Sequence, residues 1–596
     1  MSNAARPSSK TIQADQAVAG RIPDLPKDRV PLVIGVTGHR DLVAAEVPRL
    51  RDRVRTFLAT LQRMHPDLPL VVMSALAEGA DRLVAEEAMA LGIPLIVSLP
   101  FAVESYEQDF ESAESRHAFR ALYSSAEVIE LPWLPGDGPD TVRLDSARRA
   151  AHYARLGVFI CAHCHVLLAL WDGKPSARLG GTAQVVEFHH WDIMPGFTSG
   201  NENQPQVLAE DESDLVYHIV CSRDRPEGAP ESGMQPLEEG WFTTDESTPR
   251  SRELPAIYRR VFERMAEFNR DVLRHRKQIR AQAWSLLPAD TPQAVAPVLK
   301  TVDTMFMAAD WLAVHFQVRV MRALRTIYTL AALMGLAFIA YTDFDGLDVM
   351  AYLFLAFFLG GLLVYRLADR RAWHRKYLDY RALAEGLRVQ CYWVSAGVTS
   401  GRNSKFAHDN FLQKQDAELG WIRNVMRYTG RLSDALPPSR EGLGFAAREW
   451  VGERSGNGQL AYYERKAKER RKLSRITGII GATCLWSGIA VTLLLIMLGG
   501  NISAELKSLF IVLMGVLPLV AAVREAYAQK RAEKELIKQY LFMAKIFRNA
   551  HRRLHDASSD QVRRQVLKAL GDAALEEHSQ WLLMHRERPL DHGRMN

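Results

Sequence analysis

Four apolar stretches without a single charged residue constrain this chain more than any other feature: Thr326–Tyr341, Met350–Tyr365, Ile476–Leu498 and Leu509–Val523. A helix crossing a hydrocarbon core of about 30 Å needs roughly 17–25 residues. Leu509–Val523 is short for that and contains Pro518, so it spans only with snorkelling of Lys507 and Arg524. The stretches form two close pairs with cationic outer flanks. Arg319, Arg322 and Arg325 precede the first, and Arg366, Arg370, Arg371, Arg375 and Lys376 follow the second. Lys466, Lys468, Arg470, Arg471, Lys472 and Arg475 precede the third, and Arg524, Lys530 and Arg531 follow the fourth. The loops inside each pair are poor in cations: Asp343, Asp345 and Asp348 lie in one, and Lys507 is the only cation of the other. Positive flanks stay in the cytoplasm. The expectation is a multi-pass protein of the inner (plasma) membrane, with both termini and the central segment cytoplasmic and the lipid bilayer as partner.

A different pattern occupies residues 31–223. The apolar runs Leu32–Val36, Leu70–Met73, Leu95–Leu99, Val128–Leu131, Val166–Trp171 and Leu215–Cys221 alternate with amphipathic stretches such as Arg49–Met64, Asp81–Leu91 and Arg148–Cys161. Strands that read as continuous apolar runs between helices predict a parallel sheet covered on both faces. The fold class expected is therefore an α/β domain followed by an all-α region with two pairs of transmembrane helices. Six segments are expected: a flexible tail over 1–30, the α/β domain over 31–223, a linker and helical connector over 224–300, a first hairpin with its cytoplasmic helix over 301–400, a connector over 401–470, and a second hairpin with C-terminal helices over 471–596. From about Trp191 to Arg250 only Leu215–Cys221 reads as regular structure. The helical stretches Trp373–Ala396 and Glu525–His555 each follow a pair, which suggests a duplicated unit.

The composition narrows the partners. A net charge of +6 is modest and clusters beside the apolar stretches, so direct nucleic acid binding is not expected. Cys161, Cys164, Cys221, Cys391 and Cys484 are too few and too scattered for a disulfide framework, which fits a reducing compartment. Met1–Val30 has no apolar core of a signal peptide.

The unusual residues of the α/β segment fall after its strands, where open parallel sheets place ligands. They are Gly38, His39 and Arg40 after the first; Ser74, Glu78, Gly79 and Asp81 after the second; Phe101 after the third; and Trp171, Asp172 and Gly173, then Gly180, Gly181 and Thr182, after the fifth. Gly38 and Gly79 allow tight turns and close approach of backbone to ligand. Gly180, Gly181 and Thr182 open a helix, whose N-terminal amides favour an anion. His39, Arg40 and Arg178 suit phosphate charge, and Trp171 or Phe101 suits stacking on a base. For Gly180–Thr182 simple helix capping is the competing reading, and for Asp81 an N-cap. The expected ligand is a nucleotide-type small molecule, with no catalytic or metal-binding residue assigned. Cys161-Ala162-His163-Cys164-His165 lacks a second ligand pair for zinc and reads as a helix end entering a core strand. His189-His190 reads as a surface helix end, Glu385 and Arg388 as an i,i+3 pair, and Gly360-Gly361 as a point of close helix packing.

Gly35–Arg40, Ser74–Asp81 and Gly180–Thr182 together resemble the SLOG group of Rossmann-like domains, relatives of the DNA-processing protein DprA and of the LOG/lysine-decarboxylase-like family. Ala88, Gly92 and Pro94 extend the likeness to the DprA pattern. The resemblance implies a sensor of nucleotide-derived ligands. LOG-type relatives hydrolyse nucleoside monophosphates through Gly-Gly-x-Gly-Thr-x-x-Glu. Here the third residue after Thr182 is Val185 and the nearest acid is Glu187, so that motif is incomplete.

The apolar pairs, with Trp373, Tyr377, Tyr380, Arg381, Ala384, Glu385 and Leu387 and the closing Glu576–Pro589 stretch, are similar to the SLATT family of two-helix membrane proteins. That similarity implies a membrane-perturbing effector in bacterial anti-phage or conflict systems, acting as a homo-oligomer. Helices without internal charge do not line a wide aqueous pore singly. Two alternatives stand beside this reading: a membrane-anchored nucleotide or NAD hydrolase of LOG type using Glu78 or Glu187 as base, and a transporter or structural membrane scaffold.

Overall fold

The apolar runs become a seven-stranded sheet whose five inner strands bury side chains on both faces. The computed structural model describes residues 25–198, 214–245, 248–344, 346–398, 411–412, 415–433, 436–452, 458–498 and 502–586. Most of the expected tail, and Glu587, Arg588 and Pro589 of the closing stretch, lie outside them. The α/β part runs β1 (Leu32–Gly38), α1 (Val47–Met64), β2 (Leu70–Ser74), α2 (Ala80–Ala90), β3 (Leu95–Leu99), α3 (Val103–Tyr106), α4 (Ala113–Tyr123), β4 (Glu127–Glu130), α5 (Pro139–Leu144), α6 (Ser146–His163), β5 (Val166–Trp171), α7 (Thr182–Trp191), β6 (Val216–Val220) and β7 (Glu239–Phe242).

The strand order is β4-β3-β2-β1-β5-β6-β7. Every pairing is parallel except β6 with β7. Alternate residues feed two cores. Leu32, Ile34 and Val36 of β1 join Leu50, Val54 and Leu58 of α1, whereas Val33 joins Phe159 and Ile160 of α6 and Val186 of α7. β7 falls in the stretch expected to be loops and linker. No helix separates it from β6 to carry the chain back across the sheet, so it returns antiparallel. The chain reverses its direction of travel through the sheet between β1 and β5, the topological switch point.

The rest is helical: α8 (Ala256–Arg274), α9 (Arg276–Gln282), α10 (Ala296–Asp343), α11 (Val349–Arg370), α12 (Trp373–Ala396), α13 (Gly420–Thr429), α14 (Arg440–Ala446), α15 (Gly458–Leu498), α16 (Ala504–Lys530), α17 (Glu533–Asp556) and α18 (Asp560–Arg586). The expected connectors are part of the core. Val261, Phe262 and Met265 of α8 are buried with the sheet residues, and every residue of α13 is buried. Asn269 of α8 accepts from Val30 N–H (2.8 Å) and donates to the carbonyls of Val30 and Asp67 (both 2.9 Å), which ties α8 to the entry of β1.

Among the described residues, four helices are long and apolar enough to cross a membrane: α10, α11, α15 and α16. The four expected stretches lie inside them. α10 continues well to the N-terminal side of its apolar part, because nothing between Ala296 and Asp343 breaks a helix after its first turn. The apolar windows of α11 and α16 bury none of their residues inside the protein, and Leu363 of α11 and Ile496 of α15 are 70% and 74% exposed. α11 packs on α10, α10 on α16 and α16 on α15. The close contacts come from glycines other than the expected pair. A β-carbon on Gly335 would stand 2.7 Å from Leu519, and those on Gly488 and Gly515 would stand 3.0 Å from Pro518 and Ile339. Gly361 faces open space and Gly360 makes only an ordinary contact with Leu330 at 3.5 Å.

The two hairpins end in the same joint. α11 stops at Arg371 and Ala372 (φ 49°), and α12 begins; α16 stops at Arg531 and Ala532 (φ 48°), and α17 begins. In each, the alanine N–H donates three residues back, to Asp369 O or Gln529 O at 2.8 and 3.0 Å, and its carbonyl accepts from Lys376 or Leu536 at 2.9 Å. One sequence offset carries Arg371, Ala372 and Tyr380 onto Arg531, Ala532 and Tyr540. The stretch expected as one helix from Glu525 to His555 is thus broken at Ala532, whereas its expected counterpart, Trp373–Ala396, is one helix that begins just after Ala372. A shared left-handed alanine is a costly feature to arise twice, which supports the expected duplication.

Candidate functional site at the switch point

His39 follows β1 and Asp172 follows β5, so they face each other where the strand order reverses. His39 Nε2 lies 3.1 Å from Asp172 Oδ1 and accepts from the Asp172 N–H at 3.1 Å. Nε2 thus faces both the amide and the carboxylate of Asp172. Burial, the largest influence, holds the ring's pKa below its ordinary value against the opposing pull of Asp172. Asp172 is itself buried, accepts from Lys174 N–H at 3.1 Å, and gives its carbonyl to Glu231 N–H at 2.8 Å. The pair braces the edge from within.

Two glycines bring the first two turns together. A β-carbon on Gly38 would stand 2.3 Å from Ala80 Cβ, so α2 packs directly on the end of β1. Gly79 has φ 77°, and a β-carbon there would stand 2.4 Å from Arg40 O. Ser74 Oγ accepts from Leu76 N–H (3.1 Å) and donates to Asp81 Oδ2 (3.3 Å). Asp81 is buried at the first turn of α2. Burial raises its pKa to about 6, opposed by nearby Arg40 and by hydrogen bonds from the Ala77 and Ala75 backbone and from Ser74. The N-cap position itself belongs to Gly79. Glu78 is half-buried and accepts from Ser115 Oγ, which also accepts from Arg82 Nη1 at 2.7 Å.

Arg40 is exposed, and its guanidinium lies 5.6 Å from the centroid of the Tyr153 ring. Among the described residues it has no ion-pair partner. The Tyr153 hydroxyl donates to Asp109, which also holds Arg149 at 2.5 Å. The backbone of Tyr153 in turn packs against the third turn: Gly180 has φ 71°, and a β-carbon there would stand 2.7 Å from Ala154 N and 2.9 Å from Tyr153 C. The three glycine turns therefore form one continuous rim through Arg40 and Tyr153. On this rim Gly180 N–H donates to Gln184 Oε1 (3.1 Å) and Gly181 N–H to Arg178 O (3.0 Å). The first-turn amides that follow, from Thr182 onward, open α7, with Gly181 as its N-cap.

Other residues singled out from the sequence do different work. Phe101 is fully buried, stacked on Trp133 at 5.2 Å and covered by Arg149 at 4.9 Å, so it has no free face for a base. Trp171 donates from Nε1 to Lys174 O and lies against His218. Gly173 (φ 84°) turns toward Met234 and Glu231, whose loop covers the end of β5. Glu187 is exposed on α7. Arg82, Ser115, Arg149 and Tyr153 escaped the sequence reading because they come from helices that the topology, not the spacing, brings to the edge.

The Cys161–His165 run joins the two regions of the protein. His163 Nδ1 meets Arg427 O at 2.8 Å. His165 accepts from Val33 N–H at Nδ1 (3.1 Å) and donates from Nε2 to Asn424 O (2.9 Å). Two histidines thus fasten α13 to the sheet. His189, expected on the surface, is fully buried and meets Leu215 O at 3.3 Å, because α7 packs on the sheet over β5 and β1 and this side chain reaches the entry of β6. Glu385 and Arg388 do pair with each other. α8 links onward to the first hairpin: Asp271 holds Lys376 at 2.6 Å, and Glu267 holds Arg375 at 2.6 Å, both at the start of α12. A groove of about 730 Å³ between α17 and α18 shares none of its lining with the sheet edge. No family model, no curated protein and no solved structure matches the chain.

Proposed function

We propose that this protein is a membrane effector whose α/β domain senses a nucleotide-derived ligand and whose apolar helices perturb the bilayer when the ligand binds. The observation that carries the reading is Arg40: an exposed guanidinium without an ion-pair partner among the described residues, at the switch point, beside Gly79 and the Gly180 turn. A phosphate is the partner such a cation fits best. The residue likeness to SLOG sensors and SLATT membrane units supports the same combination, with the inner membrane as location, both termini cytoplasmic, a homo-oligomer as the active form and bacterial conflict as the setting.

Transmission runs through packed elements. The sheet holds α8 through Asn269 and α13 through His163 and His165, and α8 holds α12 through Asp271 and Glu267. α12 is the direct continuation of the first hairpin. A ligand shifts the hairpins only by binding one arrangement better than the other, and the rim is where that difference arises.

The test is leakage of an entrapped dye from vesicles carrying the full chain, challenged with a panel of nucleotides and their cyclic and ADP-ribose derivatives. The reading requires leakage that depends on one ligand and disappears in Arg40→Ala. Leakage indifferent to every ligand, or none, sets it aside. Turnover of the ligand that stops in Glu78→Gln would favour the hydrolase instead.

A further inference from the structure

The two joints are alike in backbone and unlike in charge. In the second, Arg531 pairs with Glu533 at 3.4 Å and Arg524 with Glu525 at 2.5 Å. The position matching Glu533 in the first joint is Trp373, so Arg371 lacks its local carboxylate. Arg319 of α10 sits against the same tryptophan, 5.7 Å from its ring centroid and 5.8 Å from that of Phe316. Arg274, at the end of α8, completes the group. Arg274 precedes His275, whose ring lies 4.6 Å from that of His315, one turn from Arg319, and Arg371 is two residues from Trp373; burial, then Arg274 and then Arg371 lower the pKa of Arg319. Among the described residues none of the three has an ion-pair partner. Asp271, the carboxylate that acts on Arg319, is committed to Lys376 and to the Tyr380 hydroxyl at 2.7 Å. Asp369 precedes Arg371 by two positions, on a different face of the helix. One turn below Arg319, His315 Nε2 is buried with no hydrogen-bond partner. Stacked on Trp311 and close to His275, that ring is held neutral, its pKa pushed down to about 4 by burial and then by Arg319.

Like charges are not gathered without compensation unless something anionic joins them. The depth is right for one source. About two helical turns, roughly 10 Å, separate Arg319 from Thr326, and Arg371 lies at a similar distance beyond Tyr365. The polar layer of a bilayer adds roughly 5–7 Å on each side, and an arginine side chain spans the remainder by snorkelling.

We propose that Arg274, Arg319 and Arg371, with Trp373 beside them, form a seat for the phosphate of an anionic phospholipid at the cytoplasmic end of the first hairpin. The second joint differs, because Arg524 and Arg531 there are each paired with a neighbouring glutamate. It rests on the membrane reading above. Its location on α8, α10 and the start of α12 puts it on the route from the sheet to the membrane, so lipid occupancy and ligand sensing meet on α8.

The experiment is native mass spectrometry of the full chain in detergent with phosphatidylglycerol or phosphatidylcholine added. The seat requires phosphatidylglycerol to be retained in preference, with about fivefold less retained in Arg319→Gln and in Arg371→Gln, the factor that one surface arginine contributes. Arg531→Gln must leave retention unchanged. Trp373→Glu supplies Arg371 with the carboxylate that Arg531 has, and must lower retention while every arginine remains. Equal retention of the two lipids, an equal loss in Arg531→Gln, or displacement of the lipid by equimolar inorganic phosphate overturns the proposal. Alkaline extraction of membranes separates the two readings. A chain released by carbonate sinks the membrane assignment, whereas a chain that stays embedded but shows no lipid preference sinks only the seat.

Discussion

His39 and Asp172, from strands that are neighbours in space but far apart in sequence, meet at 3.1 Å at the switch point of the sheet. Both are buried, so neither is a free binding group. Their contact instead sets the direction of the next residue, Arg40, which leaves the edge toward Tyr153. A braced pair inside and an unpaired cation outside is the arrangement the proposed site depends on.

Gly79→Ala should destabilise the α/β domain by about 2–4 kcal/mol, combining backbone strain with a steric conflict. The residue has φ 77° and ψ −119°, and the new methyl would meet Arg40 O. Chemical unfolding of the full chain, followed by amide exchange on β1 and α2, reports it. Stability within about 0.5 kcal/mol of the parent would mean that the turn is not as tight as described.

Asp81 should give binding of the proposed ligand a pH dependence. Its pKa is raised from 3.8 to about 6, so the folded chain prefers the carboxyl protonated. The resulting stability is fully present below pH 3.8 and is lost as pH rises through about 6. An anion on the rim beside it should therefore bind more tightly at pH 5.5 than at pH 7.5 and take up protons on binding. Asp81→Asn should flatten that dependence. Calorimetry in two buffers of different ionisation enthalpy measures the proton uptake directly.

His165 carries the opposite sign. Burial drives its pKa from 6.5 down to about 3, against the hydrogen bond to Asn424. Its contribution is complete above pH 6.5 and is lost progressively as pH falls toward 3. The contact between α13 and the sheet should loosen first in acid. Hydrogen exchange of Gly420–Thr429 should accelerate relative to β1 between pH 7 and pH 5. Uniform protection across that range would show that this junction does not depend on the ring.

Ala372→Gly and Ala532→Gly should each stabilise the chain by up to about 1 kcal/mol, because a left-handed alanine is strained and glycine is not. Thermal unfolding in detergent reads the change. A joint that must hold strain to function would show the gain in stability together with lost ligand-dependent leakage.

Much of the framework was legible because period and charge are local signals. Leu32–Val36 and Val166–Trp171 read as buried strands from their continuous apolar character, and Ile476–Leu498 as a spanning-length helix from its lack of charge. β7 was not legible: Glu239–Phe242 has no periodicity in so short a strand, and its pairing with β6 is set by the chain reversal. α13 was not legible either, since Arg423, Asn424 and Arg427 look like a solvated face and are buried through contacts with distant segments. At the site, Gly38 and Gly79 are recognisable as turns that need glycine, whereas Gly180 reads from the sequence only as part of a helix N-terminus. That Phe101 is sealed under Arg149, and that Tyr153 links two of those turns, depends on how α6 lies across the edge.

Calorimetric titration of the purified full chain with a nucleotide panel tests the central claim most directly, with Arg40→Ala alongside. The account predicts saturable binding of at least one phosphate-bearing nucleotide, one per chain, weakened by tenfold or more in the variant, the loss of a charge-assisted hydrogen bond of about 1.5–3 kcal/mol. Binding that survives Arg40→Ala unchanged, or a panel in which nothing binds a correctly folded chain, would contradict it.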